Sequence, residues 1–182
     1  MEDQQVLVTG GTGFIGSNLA NDLSTDNEVI ALDNGYLGTP ENLSEDVEYI
    51  EADVLDEGLP TDVDVIFHLA ALSSRQMLEE NPRQGARVNI EGFINLVEQA
   101  FNSGCETIVY ASTSSAYGSR MEPSPEDIDL EASTGYDASM LSRSHRVSVS
   151  VCLEKTCIRL QQTTNRKRNI CLVHVLSVPS RY

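Results

Sequence analysis

Glycine recurs at the spacing Gly10-x-x-Gly13-x-x-Gly16, directly after the apolar, β-branched run Val6–Val8 and ahead of a segment with apolar residues at Phe14, Ile15 and Leu19. The run has the character of a buried parallel strand, and the segment that of a helix. Glycine adopts backbone angles closed to other residues and has no Cβ to stand between main chain and ligand. Strand, turn and helix N-terminus together make a seat for a pyrophosphate, because free N–H groups and the helix dipole both favour an anion there. Asp33 lies about twenty residues past the turn, where a carboxylate can accept hydrogen bonds from the hydroxyls of an adenosine ribose. The same charge repels a 2′-phosphate, which selects NAD over NADP. Asn34 stands beside it as a further candidate contact. Asp53 could receive the adenine amino group with Val54 against the ring; the residues alone leave a plain surface loop equally open. His68 invites a catalytic role, but a histidine within an apolar strand reads as a satisfied structural residue.

These side chains act together only if the chain brings them to one end of one sheet. Strand-like runs occur at Val6–Val8, Glu28–Leu32, Val47–Ile50, Asp64–Ala71 and Thr107–Ala111. The fourth ends in Leu69, Ala70 and Ala71, small enough at its tip for a cofactor to lie close. A helix is expected over Arg83–Ser103, with Val88, Ile90, Phe93, Ile94, Leu96, Val97 and Ala100 on its buried side and Gly104 as its cap. This alternation predicts an α/β fold, a doubly wound parallel sheet with helices on both faces and ligands beyond the carboxyl ends of its strands.

Charge divides the chain. Residues 1–139 hold 27 acidic and 4 basic residues and no lysine, a net charge of −23, whereas residues 140–182 carry +7. So negative a field repels nucleic acid, and it keeps a protein soluble where salt screens its self-repulsion, which points to a halophilic setting. No apolar run reaches membrane-spanning length, and the N-terminus lacks a basic-then-apolar leader, so a cytoplasmic protein without membrane contact is expected. The four cysteines lack paired metal spacing and read as free thiols; no metal is expected.

Beyond the fifth strand come Ala111-Ser-Thr-Ser-Ser-Ala-Tyr-Gly118 and then Thr134-Gly-Tyr-Asp-Ala-Ser-Met140. With Thr9–Gly16, Asp33, Asp53, His68–Ala71 and Asn89, the stretches Ser112–Gly118 and Tyr136–Ser139 make residues 5–139 resemble the extended short-chain dehydrogenase/reductase superfamily, in its branch of NAD-dependent nucleotide-sugar epimerases and dehydratases. The resemblance implies a Rossmann-type NAD-binding domain over residues 1–139, with NAD held by Gly10, Gly13, Phe14, Ile15, Gly16, Asp33, Asn34, Asp53, Val54, Leu69, Ala70, Ala71, Asn89 and Tyr136. It implies Tyr136 as the base that removes a sugar hydroxyl proton, Thr113 as the hydroxyl that bonds the same oxygen, and a nucleotide-sugar substrate passing through a transient 4-keto sugar. It also implies a homodimer built on the Arg83–Ser103 helix and the one starting near Tyr136.

Two departures matter. The family's lysine, four residues after the tyrosine, depresses the phenol's pKa and holds the nicotinamide ribose; Met140 stands here and has neither charge nor donor. From that point the chain departs from the family pattern, most of the substrate region is missing, and residues 140–182 read as an atypical basic tail, a frame-shifted or replaced ending. Within the family, 4,6-dehydratases carry an acid just after the Thr, where Ser114, Ser115 and Ala116 stand here, so 4-epimerisation is the expected chemistry. The alternatives are a dehydratase or reductase of the same family, or a non-catalytic NAD-binding protein.

Overall fold

The computed structural model describes residues 1–113, 138–140, 159–163 and 173–177. Its sheet has the order β3-β2-β1-β4-β5-β7-β6. The strands are β1 (Gln5–Thr9), β2 (Glu28–Asp33), β3 (Val47–Glu51), β4 (Val65–His68), β5 (Thr107–Ala111), β6 (Arg159–Thr163) and β7 (Val173–Ser177). The first five run parallel, with Val6 opposite both Val29 and Val65. Centre position explains the composition of β1: Val6, Leu7 and Val8 are all fully buried, as a strand covered on both faces requires. Alternate residues serve opposite faces. Val6 and Val8 pack with Ala20, Val29 and Ala31, while Leu7 joins Leu32, Ile66, Phe93 and Leu96 on the other side.

On the first face lies helix α1 (Phe14–Leu23). Its sheet-facing residues are Gly16, Ser17 and Ala20, small enough for close approach, whereas Phe14 and Ile15, which signalled the helix, are exposed at 86% and 60%. The single helix expected over Arg83–Ser103 is three consecutive pieces: α3 (Pro82–Ala86), a π turn (Arg87–Glu91) and α4 (Gly92–Ser103). A short helix that the sequence did not signal, α2 (Arg75–Glu80), precedes them. Val88, Phe93, Leu96, Val97 and Ala100 are buried as expected, with Ile90 and Ile94 half-buried. Gly104, at φ 92°, closes α4 with its N–H on the Ala100 carbonyl at 3.1 Å.

The sequence predicts a sheet ending at β5. The structure adds β7 antiparallel to β5, and β6 antiparallel to β7, so the sheet is mixed. The outer edge of β5 is the physical reason: it offers a row of main-chain donors and acceptors that a β-branched segment such as Val173–Val175 can pair.

Candidate cofactor site

The glycine turn is shaped by the strands beneath it. Gly10 has φ 71°, and a Cβ there would stand 2.8 Å from the Ala70 nitrogen and 2.9 Å from the Leu69 carbonyl carbon. A Cβ on Gly16 would overlap the Gly10 carbonyl oxygen, so α1 could not start where it does. Gly11, not singled out by the spacing, is equally constrained, since its Cβ would lie 2.6 Å from that of Ala31. Gly13 is less constrained than these: a Cβ there would stand 3.3 Å from the Gly10 oxygen, a tight contact and not an overlap. It stands at the start of α1, whose first turn has neither a side-chain cap nor an acidic residue. The first N–H groups of the helix are therefore uncapped by any side chain, the condition under which a helix start takes an anion.

To one side, at the ends of β2 and β3, the carboxylates are fixed by short-range bonds. Asp33 accepts from the N–H of Thr12 at 3.2 Å and of Gly35 at 2.9 Å. Asn34 donates through Nδ2 to Asp53 at 2.9 Å, and Asp53 accepts from the Leu55 N–H at 3.0 Å. These bonds bring Asp33, Asn34, Asp53 and the glycine turn together at one rim. Val54 points elsewhere: only 4% exposed, it packs in the core beside Gly92. A hollow of about 470 Å³ lies beside this rim, lined by Thr12, Gly13, Phe14, Leu37, Gly38 and Asn42 among others. Its outer wall is strapped to the turn, with Asn42 donating to the Thr12 carbonyl at 2.9 Å and Asn21 to the Asn42 carbonyl at 2.9 Å. Sequence reasoning passed over Thr12, Gly38 and Asn42, because a loop threonine, glycine and asparagine carry no spacing signal.

To the other side, Leu69, Ala70 and Ala71 form a half-buried shelf after β4. The N–H of Leu69 bonds the Thr9 carbonyl at 3.0 Å and that of Ala70 the Thr9 hydroxyl at 3.3 Å. His68 holds the same hydroxyl, Nδ1 to Oγ1 at 2.8 Å, and its fully buried ring lies 5.4 Å from that of Phe93. That histidine supports the shelf from within the core. Asn89, in the π turn, grips the next residue from both directions: Oδ1 accepts from the Leu72 N–H at 2.8 Å, and Nδ2 donates to the Leu72 carbonyl at 3.1 Å and to Ser139 Oγ at 3.1 Å. Ser112 and Thr113 are buried where β5 ends, as are Ser139 and Met140. Tyr136 lies outside the described residues.

The family described as the NAD dependent epimerase/dehydratase family matches residues 6–151. The chain belongs to this family. Among curated relatives, a putative UDP-glucose 4-epimerase of Methanocaldococcus jannaschii is 38% identical over 120 residues, covering 62% of this chain and 39% of the relative. UDP-glucuronic acid decarboxylase 3 of Arabidopsis thaliana is 36% identical over 132 residues, covering 68% of this chain and 38% of the relative. Among solved structures, the UDP-glucose 4-epimerase of Thermus thermophilus in complex with NAD superposes with a TM-score of 0.74 at 33% identity, over 80% of this chain and 50% of that one. The chain spans half or less of the length of these relatives. Epimerases and dehydratases of this family are NAD-dependent enzymes, and the geometry here suits that cofactor: an uncapped helix start behind Gly13 for the pyrophosphate, and a fixed carboxylate at Asp33 for a ribose. Among the described residues no helix is long and apolar enough to cross a membrane.

Proposed function

We propose that this chain binds NAD across the glycine turn and carries the cofactor half of a nucleotide-sugar 4-epimerase, impaired by Met140. The observation that carries the reading is the glycine turn itself: Gly10 and Gly16 leave no room for a Cβ, and the helix that starts behind Gly13 has neither a side-chain cap nor an acidic residue in its first turn. Asp33, held by two backbone N–H groups, would accept the adenosine ribose hydroxyls; Asn34 and Asp53 would close the adenine end. Leu69, Ala70 and Ala71 would lie along the nicotinamide half, with Asn89 behind them. When bound, NAD supplies reversible hydride chemistry at the sugar's C4. The chain's own contribution would be to move a proton at the C4 hydroxyl, with Tyr136 as base and Thr113 bonding the same oxygen.

A phenol with a pKa of about 10 is a weak base at neutral pH without a cation nearby. Met140 supplies none, and its side chain is buried. This favours a second reading, an NAD-binding chain without turnover. The sugar nucleotide of the whole protein is a UDP-sugar in this proposal, and the decarboxylases among the relatives make a sugar uronate the competing substrate class.

Titration calorimetry of the purified chain with NAD and NADP, at low and high salt, tests the reading. Saturable binding that prefers NAD and tightens as salt screens the acidic surface is expected. Binding of neither dinucleotide would overturn it. Turnover of a UDP-sugar by Met140→Lys but not by the unmodified chain would separate impairment from a purely binding role. Lysine at so buried a position carries the cost of burying a charge, so the variant should melt roughly 5 °C lower than the unmodified chain.

A further inference from the structure

We infer that Ser139 is a positioning residue for the nicotinamide half of the dinucleotide, acting through Asn89; the inference rests on the NAD reading above. Strand order separates the two halves of such a ligand. Asp33 and Asp53 end β2 and β3 on one side of β1, while the 69–72 shelf and Thr113 follow β4 and β5 on the other. A dinucleotide that crosses the sheet where the strand order reverses lays its adenosine over the first pair and its nicotinamide over the second.

The shelf has two supports. Leu69 and Ala70 hang from Thr9 at the end of β1. Leu72 hangs from Asn89 by both its N–H and its carbonyl, and the same amide also donates to Ser139 Oγ at 3.1 Å. Asn89 is fully buried and Ser139 is 2% exposed, so water cannot replace the bond between them. A primary amide that donates to two acceptors and accepts from one donor is set in one orientation; removing one acceptor weakens the preference for that orientation. The π turn at Arg87–Glu91 carries Asn89 inward at this point, a local geometry that recurs at functional sites. Ser139 also stands one residue before Met140 and three after Tyr136. The same bond therefore ties the shelf to the segment that carries the proposed base.

The test compares NAD with ADP-ribose, which has the adenosine and both phosphates but no nicotinamide. Calorimetry on the full chain should show Ser139→Ala binding ADP-ribose as the unmodified chain does and NAD about tenfold more weakly. Ser139→Thr, which keeps the acceptor oxygen, should restore NAD affinity. Should Ser139→Ala fail to fold, Ser139→Cys, with a poor acceptor in the same shape, is read in the same way. Equal weakening of both ligands, or no weakening of NAD, would overturn the inference and leave the cofactor reading standing. An unmodified chain that binds ADP-ribose as tightly as NAD would also overturn it, and one that binds neither would overturn both.

Discussion

On the β2–β3 side of the candidate site, Asp33 and Asp53 accept from N–H groups two residues further along the chain, at Gly35 and Leu55. On the β4–β5 side, Asn89 reaches 17 residues back to Leu72 and 50 residues forward to Ser139. The first rim is made of carboxylates in turns, close to water, and each turn assembles itself once its strand is in place. The second is made of buried amides and hydroxyls that acquire partners only when separate parts of the chain have folded together. The β2–β3 side is thus the more self-sufficient of the two, and the β4–β5 side depends on the segment that carries Ser139.

The largest effect expected falls on the turn that both ends share. Gly16→Ala drives a Cβ into the Gly10 carbonyl and should lower stability by about 3 kcal/mol or more in urea unfolding, with all dinucleotide binding lost. Gly13→Ala makes a tight 3.3 Å contact with the Gly10 oxygen, milder than the overlap at Gly16, and should cost about 1–2 kcal/mol while weakening NAD at least tenfold. Equal destabilisation by the two would remove the distinction between a packing glycine and a ligand glycine.

A smaller effect is expected on the β2–β3 side alone. Asp33→Asn removes the charge and keeps an acceptor oxygen for only one of the Thr12 and Gly35 N–H groups, which bond different oxygens of the carboxylate. NAD should bind about tenfold more weakly and NADP no worse than before, so that the preference between them narrows. A variant that bound both dinucleotides as the unmodified chain does would take Asp33 out of the site.

The smallest effect probes the β4–β5 side. Cys105 is a buried free thiol just before β5, its Sγ 3.5 Å from the Thr107 carbonyl oxygen. Burial pushes its pKa above the ordinary thiol value; donation to the sulfur from the Thr107 backbone opposes this, and the Asp64 and Glu106 charges add to it. Folding thus favours the protonated thiol. Its contribution to stability is complete below the unfolded-state value near 9.0 and declines as pH rises through it. Unfolding free energy should fall from about pH 8 to pH 10, and Cys105→Ala should flatten that slope. Mass-mapped alkylation at pH 8 should leave Cys105 largely unmodified in the native chain; labelling as fast as in urea would mean that β4–β5 opens readily.

Much of this was legible in the residues. The five parallel strands, the glycine turn and the carboxylates two turns away each carry their own local signature: a β-branched run, a fixed glycine spacing, an acid at a strand end. What escaped reading has no such signature. Gly11 is constrained by Ala31, on the neighbouring strand. The strap from Asn42 to Thr12 joins residues 30 apart. The π turn looks, in sequence, like an unbroken amphipathic helix, because the extra residue in one turn shifts the apolar stripe by less than its own width.

By itself the sequence determined the strand-and-helix alternation, the glycine turn between β1 and α1 and the absence of a charge at Met140, since each depends on residue types within one or two turns of chain. Only the tertiary structure decided which glycines have no room for a Cβ, that His68 holds a hydroxyl in the core, that Val54 is buried, and that the sheet continues past β5 through β7 and β6. It alone joined Leu72, Asn89 and Ser139. Those outcomes turn on which distant backbone comes within about 3 Å of a given atom, and spacing along the chain does not encode that distance.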